Sequence, residues 1–291
     1  MAVSSMLKVQ LLGHDSVRDR LKRRLRDFGA VEVTEIEIEE ERSGKKPSSV
    51  GDINRLIEQL DGSISFLEEY VELPSMWEKL SGTAIRVGRE EVEKLAAEFS
   101  VEDAWEKSSA MSGRLRELEN EIDKSRELIR HLEPWKTLDA SLEKLETEEF
   151  MGQLWTFPSG EVEQNLAELE SEFELSHFEP VSEGEGSAHV AVILPGEDHG
   201  ELIEALKRAG GHLNGFEDVR GTPAEIIEAE LDSVKKARAE IEELRKQAEE
   251  LAEEIIEKLY ILIDFYNEKL ALTELETRLY KTDSVFLLEG W

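Results

Sequence analysis

Cysteine is absent from the 291-residue sequence, which excludes disulfide bonds, thiolate-bound zinc and thiol catalysis. The sequence also lacks a run of the roughly 20 apolar residues that a membrane-spanning helix needs. Residues 1–10 lack the basic and apolar regions of a signal peptide. Only 7 prolines are present, so long helices can continue with few interruptions. These absences favour a helix-rich protein of the cytoplasm.

Motifs for catalysis or ligand binding are missing as well. No two of the 6 histidines have the close spacing that would place them on one helix face as metal ligands. His177 and His189 could face each other across a hairpin, where a surface pair is expected rather than a metal site. Neither Gly184–Gly186 nor Gly210–Gly211 follows a strand and opens a helix, as a phosphate-binding loop does. The sequence therefore predicts no enzyme, no catalytic residue, no metal site and no cofactor.

Charge limits the partners that the surface can bind. The sequence has 67 acidic and 35 basic residues, which gives a formal net charge of −32. A field of this sign repels phosphate groups, so no nucleic acid is expected as a partner, and an anionic membrane is a poor one. Charged residues make up 35% of the chain and apolar residues 40%. This balance is typical of an ordered protein with long exposed helices.

Both ends of the chain carry short apolar segments that are typical of strands. Leu7–Leu12 begins a β-α-β pattern whose second strand contains Val31, Val33 and Ile36. The helix between these strands has a regularly spaced apolar face, made of Val17, Leu21, Leu25 and Phe28. Residues 284–291 form the last apolar segment, and an isolated strand at a chain end needs a sheet. We expect the two ends to meet in one lobe.

Three segments between these ends repeat apolar residues every seven positions, which is typical of coiled coils. They run from Ile53 to Val71, from about Ser100 to Pro134, and onwards from Thr222, where Thr222 and Glu225 form a capping box. The predicted seam residues are Leu115, Leu118, Ile122, Ile129, Val234, Ile241, Leu244, Leu251, Ile255 and Leu262. A helix from Pro223 to Leu270 would extend about 70 Å. Earlier segments of the same chain are expected to cover its seam, and pairing with a second copy is the alternative.

The fold class predicted is α+β, with two small α/β lobes joined by a long antiparallel coiled coil in a dumbbell shape. The distal lobe has the order β-α-β-β-α-β, which is ferredoxin-like. The expected division is a first part of the proximal lobe (1–51), outgoing helices (52–148), the distal lobe (149–221), a returning helix (222–272) and a return to the proximal lobe (273–291).

A cluster of basic residues in the first helix contrasts with the acidic background. It consists of Arg18, Arg20, Lys22, Arg23, Arg24 and Arg26. A solvated helix face is the simpler interpretation. The alternative is a docking surface for an acidic helix or for lipid headgroups, which makes these residues candidates for partner binding.

The segments at the two ends resemble one family of proteins. Lys8–Gly13, Leu25–Gly29 and Val31–Val33 resemble the start of subunit I of rotary V-type (archaeal and bacterial A/V-type) ATPases, called subunit a in eukaryotes. Val285–Trp291 is similar to the apolar strand and Gly-Trp pair of that family. These motifs cover only the two ends, whereas the expected architecture resembles the family along the whole chain.

The resemblance implies a non-catalytic stator arm of a proton-translocating complex, on the cytoplasmic face of the membrane. In that family the two lobes bind peripheral-stalk heterodimers of E and G type subunits, and the rotor cap region of the central stalk is a possible further partner. The membrane is reached only through a C-terminal half beyond Trp291, which carries the proton path. Two functions of other classes remain open: a small-molecule-sensing regulatory module, and a coiled-coil adaptor that dimerises through the rod.

Overall fold

The computed structural model describes most of the chain. The described residues are 7–28, 33–34, 48–71, 87–145, 150–160, 162–173, 175–184, 186–195, 200–216, 219–282 and 284–291. They form two compact units: unit 1 is Met1–Gly113 with Leu244–Trp291, and unit 2 is Arg114–Glu243. Each unit combines helices with an antiparallel sheet. The α+β class predicted from the sequence is confirmed.

The chain passes from unit 1 to unit 2 and then returns to unit 1. Unit 1 contains β1 (Val9–His14), α1 (Arg18–Phe28), β2 (Val33–Thr34), α2 (Ser48–Leu67), α3 (Arg89–Glu98), the start of α4 (Val101–Leu132), the end of α7 (Pro223–Arg278), β7 (Tyr280–Lys281) and β8 (Val285–Gly290). Unit 2 contains the rest of α4 and the start of α7, with β3 (Phe150–Pro158), α5 (Val162–Glu172), β4 (His177–Gly184), β5 (Ser187–Pro195), α6 (Gly200–Arg208) and β6 (His212–Asn214) between them. No helix among the described residues is long and apolar enough to cross a membrane.

The sheet of unit 1 is built around the last strand of the chain. β8 pairs antiparallel with β1, from Val9 opposite Gly290 to His14 opposite Val285. On its other side β8 pairs with β2 and β7. The two chain ends therefore share one sheet, as the sequence predicted. Val31 and Ile36 of the predicted second strand lie outside the described residues.

α1 covers one face of this sheet. Phe286 and Leu288 of β8 are buried and pack with Leu21 and Leu25 of α1. The phenyl ring of Phe286 lies so close to Gly13 that a Cβ there would be 2.7 Å from the ring. Apolar side chains at every second strand position thus meet the apolar side of α1, which is the usual way for a helix and a sheet to form a core.

The helical part of unit 1 has its own apolar core. Leu60 and Leu67 of α2 and Leu259 and Leu262 of α7 are fully buried in it. α4 contributes Val101 and Ala104 to the same cluster. Burying one such leucine stabilises a fold by about 1.5–3 kcal/mol. The end of α7 is therefore held by earlier helices of its own chain.

α2 and α4 approach each other closely through small residues. A Cβ on Gly62 would lie 2.3 Å from Cζ3 of Trp105. Beside this contact, Ser108 Oγ donates a hydrogen bond to Ser63 Oγ at 3.0 Å, and both serines are buried. Because their hydroxyl groups bond each other and the backbone, these polar atoms are satisfied inside the core.

The sheet of unit 2 has the strand order β4-β5-β3-β6, and all its pairings are antiparallel. Its elements follow the chain as β-α-β-β-α-β, the order expected for residues 149–221. One face packs against the helices through Val190, Val192, Trp155 and Leu206, which are fully buried. The first residue of the predicted range, Glu149, and residues 196–199 before α6 lie outside the described residues.

α7 begins as the sequence predicted. Thr222 Oγ1 accepts a hydrogen bond from the backbone N–H of Glu225 at 3.3 Å, and the Glu225 carboxylate accepts one from the N–H of Thr222 at 2.9 Å. These bonds satisfy two N–H groups that have no partner within the helix. They also lower the pKa of Glu225. The residues that determine the start of α7 thus all lie between Thr222 and Glu225, which is why the sequence predicted it.

The ends of two helices differ from the expected boundaries. α2 begins at Ser48 and α7 continues to Arg278, so these helices pass the boundaries expected at 51/52 and 272/273. The last turns of α7 continue because Leu275 packs into the core beneath α1, and Leu279 follows it there. The five-part division of the chain stays a prediction.

The sequence pattern missed α3. This helix begins after Gly88, whose backbone N–H donates to the Glu91 carboxylate at 3.2 Å. Leu95 packs against the helical core of unit 1, and Phe99 follows it. Ten residues carry too few apolar repeats for a seven-residue pattern to be recognised.

We expect Gly62→Ala to lower the free energy of unfolding by about 1–3 kcal/mol, because the added methyl group must displace the indole of Trp105. Gly51→Ala is the matched control, since it also lies in α2 and no atom lies within 4 Å of the place that its new methyl group would occupy. There, alanine should stabilise the helix by up to about 1 kcal/mol. Urea-induced unfolding followed by circular dichroism measures both. Equal stability of the two variants would contradict the close approach of α2 and α4.

Candidate partner-binding surface

α1 divides the predicted basic cluster into two sets of side chains. Its apolar residues face the sheet, and this fixes which residues point outwards. Arg20 and Arg24 are exposed, whereas Lys22 is buried and Arg18 is partly buried. The side chains of Arg23 and Arg26 lie outside the described residues. The basic cluster is therefore not a uniform solvated face.

Two of the predicted cations make internal contacts. Arg18 Nη1 donates to Asp15 Oδ1 at 2.7 Å, which closes the turn before α1. The ammonium group of Lys22 pairs with the Glu276 carboxylate of α7, and the Lys22 side chain is only 8% exposed. A charge with so little water around it needs a close partner of opposite sign. Lys22 is thus placed to hold α1 against α7 inside unit 1.

Phe28 is the residue of α1 whose position the sequence pattern predicted wrongly. Its spacing from Leu21 and Leu25 placed it on the apolar face, but its side chain is 72% exposed. The buried cluster beneath α1 includes Val17, Leu21 and Leu25 from this segment, and Phe28 does not join it. The end of α1 therefore presents a large aromatic side chain beside Arg24.

The predicted seam residues lie on the inward sides of α4 and α7, with different degrees of burial. In unit 2 one of them, Ile129, is partly buried, and the others are buried: Leu115, Leu118, Ile122, Val234 and Ile241. In unit 1 two are buried, Ile255 and Leu262, and two are partly buried, Leu244 and Leu251. Within unit 2, Arg114 donates to Glu240 at 2.7 Å, and Ile129 packs in the same cluster as Ile227. α4 and α7 thus run antiparallel in this unit.

The second face of the unit 2 sheet is partly covered by the chain itself, although Phe150 and Ile193 remain exposed. Trp135, which follows α4, is 1% exposed and packs with Leu154 of β3 and Phe216. Ser182 Oγ donates to the Pro134 carbonyl at 2.6 Å, and Thr137 Oγ1 donates to the Val181 carbonyl at 3.1 Å. The segment after α4 is therefore fixed on the sheet, on the face where a small-molecule-sensing lobe would need an open surface.

A short polar network lies beside Trp135. Thr156 Oγ1 accepts from the Asn214 amide at 2.9 Å and lies 2.9 Å from His189 Nδ1. Since Oγ1 already accepts one bond, its own hydroxyl group can donate to Nδ1 of a neutral imidazole. Burial lowers the pKa of His189 below its usual value. The ring of His189 also meets Trp135 edge-on, with centroids 5.3 Å apart.

No metal-binding cluster is found in the part of the chain that the structure describes. The described residues contain no group of three or more histidine or carboxylate side chains that could hold a metal ion. The hypothesis that His177 faces His189 is wrong, because His177 pairs with Ile193 and His189 pairs with Ser182. Counting from the turn between Gly184 and Ser187 already places His189 opposite Ser182, and the bulge between Pro180 and Ser182 shifts His177 by only one further residue.

Comparison with solved structures finds a similar fold. The crystal structure of the cytoplasmic N-terminal domain of subunit I, homolog of subunit a, of V-ATPase superposes with a TM-score of 0.57. The match covers 98% of this chain and 93% of that chain, at 14% sequence identity. No protein-family model matches the sequence, and no curated protein matches it. The likeness is therefore one of fold.

We expect the stability of unit 2 to depend on the protonation of His189. Because its folded-state pKa is lowered, the unfolded chain binds more protons just below about pH 6.5. The contribution of neutral His189 to stability is then fully present above that pH and is lost as the pH decreases. His189→Gln should flatten this part of the profile in urea unfolding between about pH 7 and about pH 5. His131→Gln, at an exposed position, is the control, and equal profiles for the two variants would contradict the assignment.

Proposed function

We propose that the chain is a non-catalytic arm in the stator of a rotary V-type ATPase. The observation that carries the proposal is the likeness of fold to the N-terminal domain of a subunit I, over nearly the full length of both chains. The motifs at the two chain ends support it independently, because their strands β1 and β8 pair in one sheet. In this role the chain links peripheral stalks to the membrane sector, so that torque on the catalytic head is resisted.

The long helices suit a subunit that carries mechanical load and catalyses no reaction. α7 is a single helix of 56 residues that contributes to both units. Stretching it, or kinking it sharply, requires breaking backbone hydrogen bonds and exposing apolar side chains such as Leu259 and Leu262. An arm of this kind needs no bound substrate, cofactor or metal.

The partners follow from the same role. Peripheral-stalk heterodimers of E and G type subunits bind the two lobes, and the rotor cap region of the central stalk is a further candidate. The chain works at the cytoplasmic face of the membrane, as part of the link to the membrane sector. Its field of −32 charges disfavours nucleic acid.

The two other functions have less support. A small-molecule sensor would need an open surface on the unit 2 sheet, and Trp135 covers part of one face there while α5 and α6 pack on the other. An adaptor that dimerises through its rod would need apolar seam residues at the surface. All of the predicted seam residues are instead buried or partly buried within their own unit, and Ile255 and Leu262 are examples of the buried ones.

Purified chain mixed with the peripheral-stalk heterodimer of the same organism should form a stable complex. Sedimentation velocity should give a monomer for the chain alone, a heavier species with the heterodimer, and no hydrolysis of ATP by the chain. An unrelated acidic coiled-coil heterodimer is the control for non-specific association. The proposal is wrong if the chain binds no stalk heterodimer, and a strict dimer at low concentration would favour the adaptor.

A further inference from the structure

We propose that Arg20, Arg24 and Phe28 form a docking stripe for an acidic helix of a partner protein. The α1 stripe, as we call these three residues, follows successive turns of one helix. Residues four positions apart lie on the same side of an α-helix, about 6 Å apart along its axis. The two guanidinium groups and the phenyl ring therefore form one row.

The inward contacts of α1 fix this row on the outside of unit 1. Leu21 and Leu25 pack against the sheet, and buried Lys22 pairs with Glu276. α1 cannot rotate about its axis without breaking that ion pair and exposing the two leucines. The backbone of the α1 stripe is thus presented in a fixed orientation, so binding costs side-chain entropy but little backbone entropy.

The composition of the α1 stripe differs from that of the surrounding surface. Phe28 is 72% exposed, and exposed aromatic and arginine side chains are the types that most often dominate the energy of protein interfaces. The chain has almost two carboxylates for each cation. Nevertheless, neither Arg20 nor Arg24 makes an ion pair with any residue that the structure describes. As far as the described residues go, both can pair with an external carboxylate.

The positive charge of the α1 stripe determines which kind of partner it can bind. Two arginines one turn apart match two carboxylates one turn apart on a second helix, and an apolar residue on the next turn can cover Phe28. A helix about 10 Å wide covers a narrow strip of surface. A bilayer or a nucleic acid is an extended anionic surface and also meets the acidic remainder of the chain, whose net charge is −32. The docking chemistry thus favours a single acidic helix.

The partner's identity, but not the docking chemistry, rests on the proposed function. In a stator arm, the acidic helix belongs to a peripheral-stalk subunit. The remaining surface of the chain repels that helix, and at physiological salt this repulsion is screened within about 8 Å. The α1 stripe therefore places the partner helix at one site and in one register, instead of attracting it to the surface in general.

The test compares variants of the whole chain. Arg20→Glu with Arg24→Glu reverses the charge of the α1 stripe, and Phe28→Ala removes its apolar end. Lys235→Glu with Lys236→Glu makes the same change of charge at exposed positions of α7 and is the control. All these side chains are exposed, so circular dichroism and melting should stay as in the original chain.

Affinity is measured by fluorescence anisotropy with two probes. One is the peripheral-stalk heterodimer, and the other is a synthetic helical peptide with glutamates at positions i and i+4 and leucine at i+8. With both probes the charge reversal should weaken binding at least about tenfold, and Phe28→Ala about fivefold. The control variant should change affinity less than about twofold. Binding by the original chain should also weaken as salt is added.

The outcomes separate this inference from the proposed function. If the heterodimer binds all variants equally, the α1 stripe is not its docking site and the stator role stands. If the heterodimer does not bind at all, the stator role fails, and the peptide alone decides whether the α1 stripe binds an acidic helix. If neither probe responds to the substitutions, the inference is overturned. Vesicles of phosphatidylserine are tested in parallel as a lipid probe. If the charge reversal abolishes binding to the vesicles while the heterodimer and the peptide bind unchanged, the inference is overturned in favour of lipid headgroups.

Discussion

The constraint on which the structure depends is that one long helix must have its apolar side covered along its whole length. α7 has 56 residues, and its apolar side chains would each forgo about 1.5–3 kcal/mol if they faced water. In unit 1 this covering comes from α2 and α4, which bury Leu259 and Leu262. In unit 2 it comes from the end of α4 and the segment around Trp135, which pack with Ile226 and Ile227. The path of the chain follows from this need, since helices of earlier segments must lie beside the later one.

The same packing decides which surfaces are left for partners. In unit 2, α5 and α6 pack on one face of the sheet, and Trp135 covers part of the other. In unit 1, α1 uses Leu21, Leu25 and Lys22 for internal contacts and leaves Arg20, Arg24 and Phe28 outside. A protein whose interior provides stiffness in this way is suited to binding other chains through small exposed features. This is consistent with the proposed stator role, in which stiffness and attachment matter and chemistry does not.

Hydrogen-bonded polar groups inside the two units fix how the surrounding apolar side chains pack. The Ser63–Ser108 bond and the Lys22–Glu276 pair hold helices of unit 1 in one register, because a shift would leave a buried polar atom without a partner. Thr156, His189 and Asn214 do the same beside Trp135 in unit 2. Such groups add little net stability, but they make alternative packings unfavourable.

The sequence by itself determined the local and repetitive features. The capping box at Thr222, the apolar repeats of α4 and α7, the β-α-β-β-α-β order and the meeting of the two chain ends could all be predicted. Each of these signals is contained in residues that lie near one another in the chain, or in the need of an apolar strand for a sheet. Only the tertiary structure decided that Lys22 is buried, that Phe28 is exposed, that Trp135 covers a sheet, and that α3 exists. These properties depend on which distant segments pack against a residue, and no spacing along the chain records that.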